Sequence, residues 1–297
     1  MKKISKKKFI DPLIFRKRNI TNNVHYDIAN NPLPSVVEIS ESGTCNRACS
    51  FCPRSAEDYK DIKEFVSTEL IEKLAKELAI FNYQGLFLFS GFVEPLLDKN
   101  IYNLIKIVRK YLGKARIEMV TNGDALNKER AKKLFDSGLT TLLISIYDGK
   151  KEANDMKQML EDAKIPKEKY EIRHRYLSEN DDFGITLSNR SGMMDNAKYQ
   201  IPSLKEPLKK KCFYPHYTFF MDYTGEVLIC SHDWGKKYVV GNLKNEKFID
   251  IWLNQKFKIA RKRLENADRN FSPCDVCDVE GVLMGKNHLE AWKKVNG

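Results

Sequence analysis

The sequence predicts an α/β fold, a series of parallel βα units followed by a small α+β region with a β-hairpin and helices. Three observations carry this. Short apolar or β-branched segments alternate with segments of helical period from residue 35 to about residue 177, as in parallel βα units. Polar motifs rich in cysteine, glycine or asparagine follow several of these segments directly, where parallel α/β folds place their chemistry. After Arg190 the alternation stops, and Tyr223-Thr224-Gly225 between two apolar runs reads as a hairpin turn.

Residues 1–34 are polar, basic and weakly patterned, too short for a domain, and are expected to be an N-terminal extension. Residues 35–39, rich in β-branched side chains, predict the first strand. A helix is expected over 68–81, with Ser67 as N-cap and Leu70, Leu74 and Leu78 at helical spacing. Residues 85–89 are wholly apolar, as buried parallel strands tend to be. A helix over 100–112 carries Ile101, Leu104, Ile105 and Val108 on one face. Then come a strand over 116–120, a helix over 127–137 ended by Gly138, and a strand over 141–146. A helix over 152–163 and a strand near 172–177 complete about five units. The Pro- and Lys-rich residues 202–211 read as a linker. Strands over 218–222 and 226–229 form the hairpin, and helices are expected over 248–253 and 256–264. The domain division is therefore 1–34, 35–201 and 202–297.

With 42% hydrophobic and 31% charged residues in a chain of 297, a sizeable core is expected. No apolar run approaches the ~20 residues that span a bilayer, and the lysine-rich start has no apolar segment behind it. A cytoplasmic protein without a membrane partner is expected. In that setting the seven cysteines read as ligands rather than disulfides. The net charge of +11 admits acidic partners, but no nucleic-acid-binding signature accompanies it.

Cys45, Cys49 and Cys52 stand at C-x3-C-x2-C in one loop just after the first strand. Closed zinc sites and most iron–sulfur clusters take four protein ligands. Three thiolates with no near fourth point to a [4Fe–4S] cluster with one open iron, the alternatives being a zinc loop or three core cysteines brought together by chance. With Phe51 before the last cysteine, the loop resembles that of the radical SAM superfamily. The resemblance implies that the open iron binds S-adenosyl-L-methionine, which is cleaved to a 5′-deoxyadenosyl radical. It also implies a (β/α) barrel, here partial, shortened and open on one side, since relatives commonly have six units.

Further motifs resemble this family. Ser90-Gly91-Phe92-Val93-Glu94-Pro95 is similar to its Gly-Gly-Glu-Pro signature, implying that Gly91, Glu94 and Pro95 hold the methionyl ammonium, although Val93 stands where relatives often have glycine. Thr121-Asn122-Gly123 resembles the segment near the adenosine ribose, and Ser145 ends the next strand in a similar place. Without the resemblance these are strand-to-helix turns.

The other cysteines, Cys212, Cys230, Cys274 and Cys277, could close a zinc site or a full iron–sulfur cluster. With Asp222-Tyr223-Thr224-Gly225, Gly241-Asn242-Leu243 and Ile249-Asp250-Ile251-Trp252, they resemble the Twitch domain, a short SPASM domain, which implies an auxiliary [4Fe–4S] cluster. Leu187-Ser188-Asn189-Arg190-Ser191-Gly192 adds a likeness to the BtrN-type 2-deoxy-scyllo-inosamine dehydrogenases of the superfamily. It implies that Arg190 contacts the hydroxyl being oxidised.

The expectation is an oxidoreductase that takes hydrogen from a carbinol carbon of a small polyol, amino sugar or nucleotide sugar, passes an electron to the auxiliary cluster and releases a ketone. A reductant such as flavodoxin or ferredoxin is the expected electron donor. Peptide modification, redox-neutral epimerisation or elimination, and a zinc-binding nucleic-acid adaptor are the alternatives. His174, His216 and His232 are isolated and read as packing or surface residues; His232 and Asp233, just after Cys230, also stand near the expected substrate cavity.

Overall fold

The structure is a computed structural model that describes residues 14–175, 187–197 and 201–296. The lysine-rich tail before residue 14 and the expected strand end at Leu177 lie outside the described residues. Eight strands form one sheet: β1 (Val36–Ser40), β4 (Leu86–Phe89), β5 (Arg116–Thr121), β6 (Thr141–Ile146), β7 (Tyr170–His174), β8 (Thr218–Asp222), β9 (Glu226–Leu228) and β10 (Val239–Asn242). A separate pair, β2 (Ser42–Gly43) and β3 (Ile62–Phe65), lies after β1. The order in the large sheet is β10-β9-β8-β1-β4-β5-β6-β7.

The five parallel strands read from the sequence are β1, β4, β5, β6 and β7. Between them run α2 (Thr68–Ile80), α3 (Ile101–Tyr111), α4 (Lys128–Asp136) and α5 (Lys150–Asp162). Local rules account for their limits. Ser67 Oγ accepts from the Leu70 amide at 3.2 Å and Asn127 Oδ1 from Arg130 at 2.8 Å, so each N-terminus is capped. Gly138 ends α4 with φ +105, a conformation glycine takes without penalty.

A sixth parallel strand comes from the C-terminal region. β8 pairs with β1 over the register Val36↔Thr218 to Ser40↔Asp222. The sheet thus runs across the expected boundary at residues 201 and 202, and the hairpin β8–β9 is part of it. Strand pairing between distant segments leaves no local signal, so periodicity found the hairpin but not its neighbour. The sheet remains open: its end strands are β7 and β10.

Alternation along the strands divides the interior. Val37, Ile39, Phe87, Phe89, Ile117, Met119 and Ile144 pack toward the helices. On the opposite face Val36, Leu86 and Leu88 meet Phe213, Tyr217 and Leu289. That second face is closed by α6 (Tyr214–Tyr217) and α9 (Lys286–Asn296), with α1 (Ile14–Asn22) beside α9. No helix was expected in the extension. α1 is held by α9, through His288 Nδ1 to the Thr21 carbonyl at 3.1 Å and Asn287 Nδ2 to the Asn22 carbonyl at 2.8 Å. Residues 202–211 form no regular element. The remaining helices are α7 (Phe248–Trp252) and α8 (Gln255–Glu265). Among the described residues, no helix is long and apolar enough to cross a membrane.

Candidate active site

Cys45, Cys49 and Cys52 follow β1 and face one cleft. The loop that bears them is too short for an element of its own and is held by side chains. Asn46 Nδ2 and Arg47 Nε each donate to Asp124 Oδ2 at 2.7 Å, and Arg47 also reaches Asp148 at 2.9 Å. These acids follow β5 and β6, so the loop hangs from the same strand ends that line the cleft. On its other side Arg54, 9% exposed, donates to the Phe92 carbonyl at 2.6 and 2.9 Å, to the Gly43 carbonyl at 2.9 Å and to Asp61 at 2.6 Å. Asp61 in turn accepts from Thr44 Oγ1 at 2.9 Å and the Cys45 amide at 3.3 Å. Burial raises the Asp61 carboxyl, but these hydrogen bonds outweigh it and the net shift is downward.

Gly91, Glu94, Thr121 and Asn122 line the same cleft. Gly91 has φ +109, and a Cβ there would crowd Ser40 at 3.1 Å and Phe220 at 3.2 Å, so the position needs glycine. Glu94, 1% exposed, accepts from the Thr121 hydroxyl at 2.5 Å, the Leu96 amide at 3.0 Å and the Asn122 amide at 2.6 Å. Its carboxylate ties the two motifs together. Of its roughly four acceptor positions three are filled, which leaves one for an ammonium. Burial pushes its pKa up, against these hydrogen bonds. Pro95 is buried and begins the turn Pro95–Leu97 that Glu94 caps. Asn122 Nδ2 reaches Asn46 Oδ1 at 2.8 Å and stands 3.9 Å from Cys45 Sγ. Ser145 is buried at the end of β6 and does not line the cleft. Tyr147, two residues on, does, and its ring lies 5.6 Å from that of Phe51.

Arg190 lines the cleft from the opposite side, together with Trp234. Its Nε is buried without a protein partner, as expected of a donor kept for a ligand. Trp234 packs on Phe92 with ring centroids 4.3 Å apart. Tyr147 and Trp234 were not singled out in the sequence. A lone aromatic after a strand or turn carries no periodic signal.

The second group of cysteines converges from three segments. Cys212 precedes α6, Cys230 follows β9, and Cys274 and Cys277 lie beyond α8. Arg269 gathers them: buried to 2% exposure, it donates to the carbonyls of Lys210, Lys211, Val279 and Glu280 at 2.7–3.1 Å. Burial pushes the Cys212 thiol up to about 11. Cys230 is raised by burial and then by Cys274, Cys277 and Cys212, so the four sulfurs crowd one place. Cys49 is likewise pushed to about 11 by burial, then by Cys52 and Cys45. Thiols gathered where a negative charge is disfavoured suit a metal group, which reverses that balance and binds them as thiolates. At Gly281 a Cβ would collide with Cys212 Sγ, so the chain closes on the sulfur itself. Among the described residues, no three donor groups stand close enough to share a single metal ion; a cluster spreads its ligands over several irons. The donor sets fit iron–sulfur groups.

The chain belongs to the radical SAM superfamily, whose family model matches residues 39–189; the model of an iron–sulfur cluster-binding domain matches residues 212–278. It is therefore an enzyme that uses S-adenosyl-L-methionine and a [4Fe–4S] cluster, with an auxiliary iron–sulfur site in its C-terminal part. Among curated proteins it is similar to the S-adenosyl-L-methionine-dependent 2-deoxy-scyllo-inosamine dehydrogenase of Niallia circulans, 31% identical over 82% of this chain and 91% of that one. It is also similar to the GTP 3′,8-cyclase of Aquifex aeolicus, 32% identical over 40% of this chain and 37% of the other. Among solved structures, BtrN in complex with AdoMet and 2-DOIA superimposes with a TM-score of 0.72 at 29% identity, over 86% of this chain and 98% of that one.

Proposed function

We propose that the enzyme oxidises a secondary alcohol of a cyclic polyol, aminocyclitol or sugar to a ketone, with residues 35–201 holding the site of hydrogen abstraction and residues 202–297 the auxiliary site. The observation that supports it most is the single cleft into which the cysteine loop, the strand-end motifs and Arg190 all face. Cys45, Cys49 and Cys52 would hold one [4Fe–4S] group, and Cys212, Cys230, Cys274 and Cys277 the other. When bound, these groups and S-adenosyl-L-methionine supply hydrogen-atom abstraction from carbon and removal of one further electron. Gly91, Glu94, Pro95, Thr121 and Asn122 would bind the methionyl and ribose ends of the cofactor, with Ser145 supporting Tyr147 behind them. A one-electron donor such as flavodoxin or ferredoxin would reduce the first group.

The chain's own contribution is orientation and charge. The Arg190 guanidinium offers a planar fork of donors. Placed on the hydroxyl, it favours the oxygen's negative charge as the O–H proton leaves. Phe92, Trp234 and Tyr147 present aromatic surface along the cleft and limit water there. The test is anaerobic turnover of 2-deoxy-scyllo-inosamine and related cyclitols deuterated at the carbinol carbon. Deuterium is expected in 5′-deoxyadenosine, with one ketone per cofactor consumed. Arg190→Ala should lower ketone formation about 100-fold. Deuterium that stays in an alcohol product, or no deuterium transfer with any such substrate, refutes this function.

A further inference from the structure

The cleft arginine sits on a strained turn. Arg190 and Ser191 have φ +46 and +52, and Gly192 follows with φ +87. Two consecutive non-glycine residues in the left-handed region are strained and persist only where neighbours impose them. The neighbour here is the loop between Cys274 and Asp278. The Asn189 amide donates to Asp278 Oδ1 at 2.9 Å, Asn189 Nδ2 donates to the Val276 carbonyl at 2.6 Å, and Asn189 Oδ1 accepts from the Asp278 amide at 3.3 Å. These partners fix which end of the side-chain amide is oxygen. A Cβ on Gly192 would stand 2.9 Å from Val276 Cγ2, so the turn lies directly on that loop. Ser191, 3% exposed, hydrogen-bonds the Cys277 sulfur. Inside the segment, the Met194 amide closes the turn on the Asn189 carbonyl at 2.9 Å.

We infer that Asn189 is a positioning residue that fastens the Arg190 turn to the loop bearing Cys274 and Cys277, so that the auxiliary site sets where the cleft arginine points. The inference rests on the proposed function for Arg190's contact with substrate. Its physical content is that substrate recognition and the electron acceptor share one rigid piece of chain: residue 190 faces the cleft, residue 191 touches a cluster ligand, and residue 189 clamps both.

The experiment uses holoenzyme with both clusters in place, verified by iron content. Asn189→Ala removes both side-chain contacts to the loop and is expected to raise the substrate KM about tenfold or more, to speed hydrogen exchange at the Met194 amide, and to abolish any substrate-induced change in the auxiliary cluster's electron paramagnetic resonance signal. Asp278→Asn keeps an acceptor for the Asn189 amide and should stay within about twofold of wild type; Asp278→Ala should follow Asn189→Ala. Wild-type KM and wild-type exchange in Asn189→Ala would overturn the inference, as would an equal loss in Asp278→Asn. If the wild-type enzyme oxidises no cyclic alcohol, the proposed function fails. The clamp is then still decided by exchange at Met194: faster in Asn189→Ala upholds it, unchanged rejects it.

Discussion

Gly281 shows how much of the auxiliary site depends on single atoms. Its φ is +70, and a methyl group there would be driven into Cys212 Sγ. Gly281→Ala should leave the first cluster intact and lose the second, so that iron falls from about eight to about four per chain after anaerobic reconstitution. Full iron in that variant would mean that Cys212 is not a ligand. At this scale the sequence was readable where a residue type answers a chemical need. The seven cysteines, Gly91 and Arg190 could be marked by spacing or resemblance. Glu94 was marked too, but not its hold on Thr121 and Asn122, because those partners lie 27 and 28 residues away. Trp234 was missed because one aromatic among several around the hairpin gives no sign of facing a cleft.

Between elements, two buried arginines do what neither strand nor helix does alone. Arg261 on α8 lies between Trp252 and Trp292, 4.0 and 3.9 Å from their rings, and donates to the carbonyls of Pro215 and Trp252. Arg269 joins the segment before Cys212 to the segment after Cys277. Arg269→Ala would strand four carbonyls, and should cost about 3 kcal/mol or more and release the auxiliary iron; a denaturation midpoint and an iron assay check both. The α1–α9 contact carries a pH dependence. Burial holds His288 down to about 4 in the folded state, against about 6.5 when unfolded. The unfolded chain therefore binds the extra proton first. This stability is complete above about pH 6.5 and is lost as pH falls toward 4, about 3 kcal/mol in all. Denaturant titrations at pH 7 and pH 5 should show the loss in wild type and a smaller one in His288→Gln. Equal losses would place the dependence elsewhere, His216 being the next candidate because burial also lowers its pKa. Neither arginine nor His288 was legible as structural, since their partners are backbone carbonyls and rings brought in by tertiary packing; His216 was read as a packing or surface residue and is buried.

Across the molecule, one sheet carries both chemistries. The alternation of apolar strands and helices foretold five parallel strands, and the hairpin foretold β8 and β9. Their union into one sheet through β1 and β8 could not be read, because parallel pairing joins residues about 180 positions apart and is chosen by packing. That union brings the Cys230 turn and Trp234 up against the Phe92 motif, and so puts the auxiliary site beside the cleft. Helix α1 was also hidden, since six of its nine residues are polar or charged and it gains its order from α9.

The most direct test is the formation of 5′-deoxyadenosine from S-adenosyl-L-methionine by the anaerobically reconstituted, chemically reduced protein, beside its Cys45→Ala variant. Wild type should form 5′-deoxyadenosine and methionine, and Cys45→Ala none above the protein-free rate. Equal cleavage by the two proteins would contradict a catalytic cluster held by Cys45, Cys49 and Cys52.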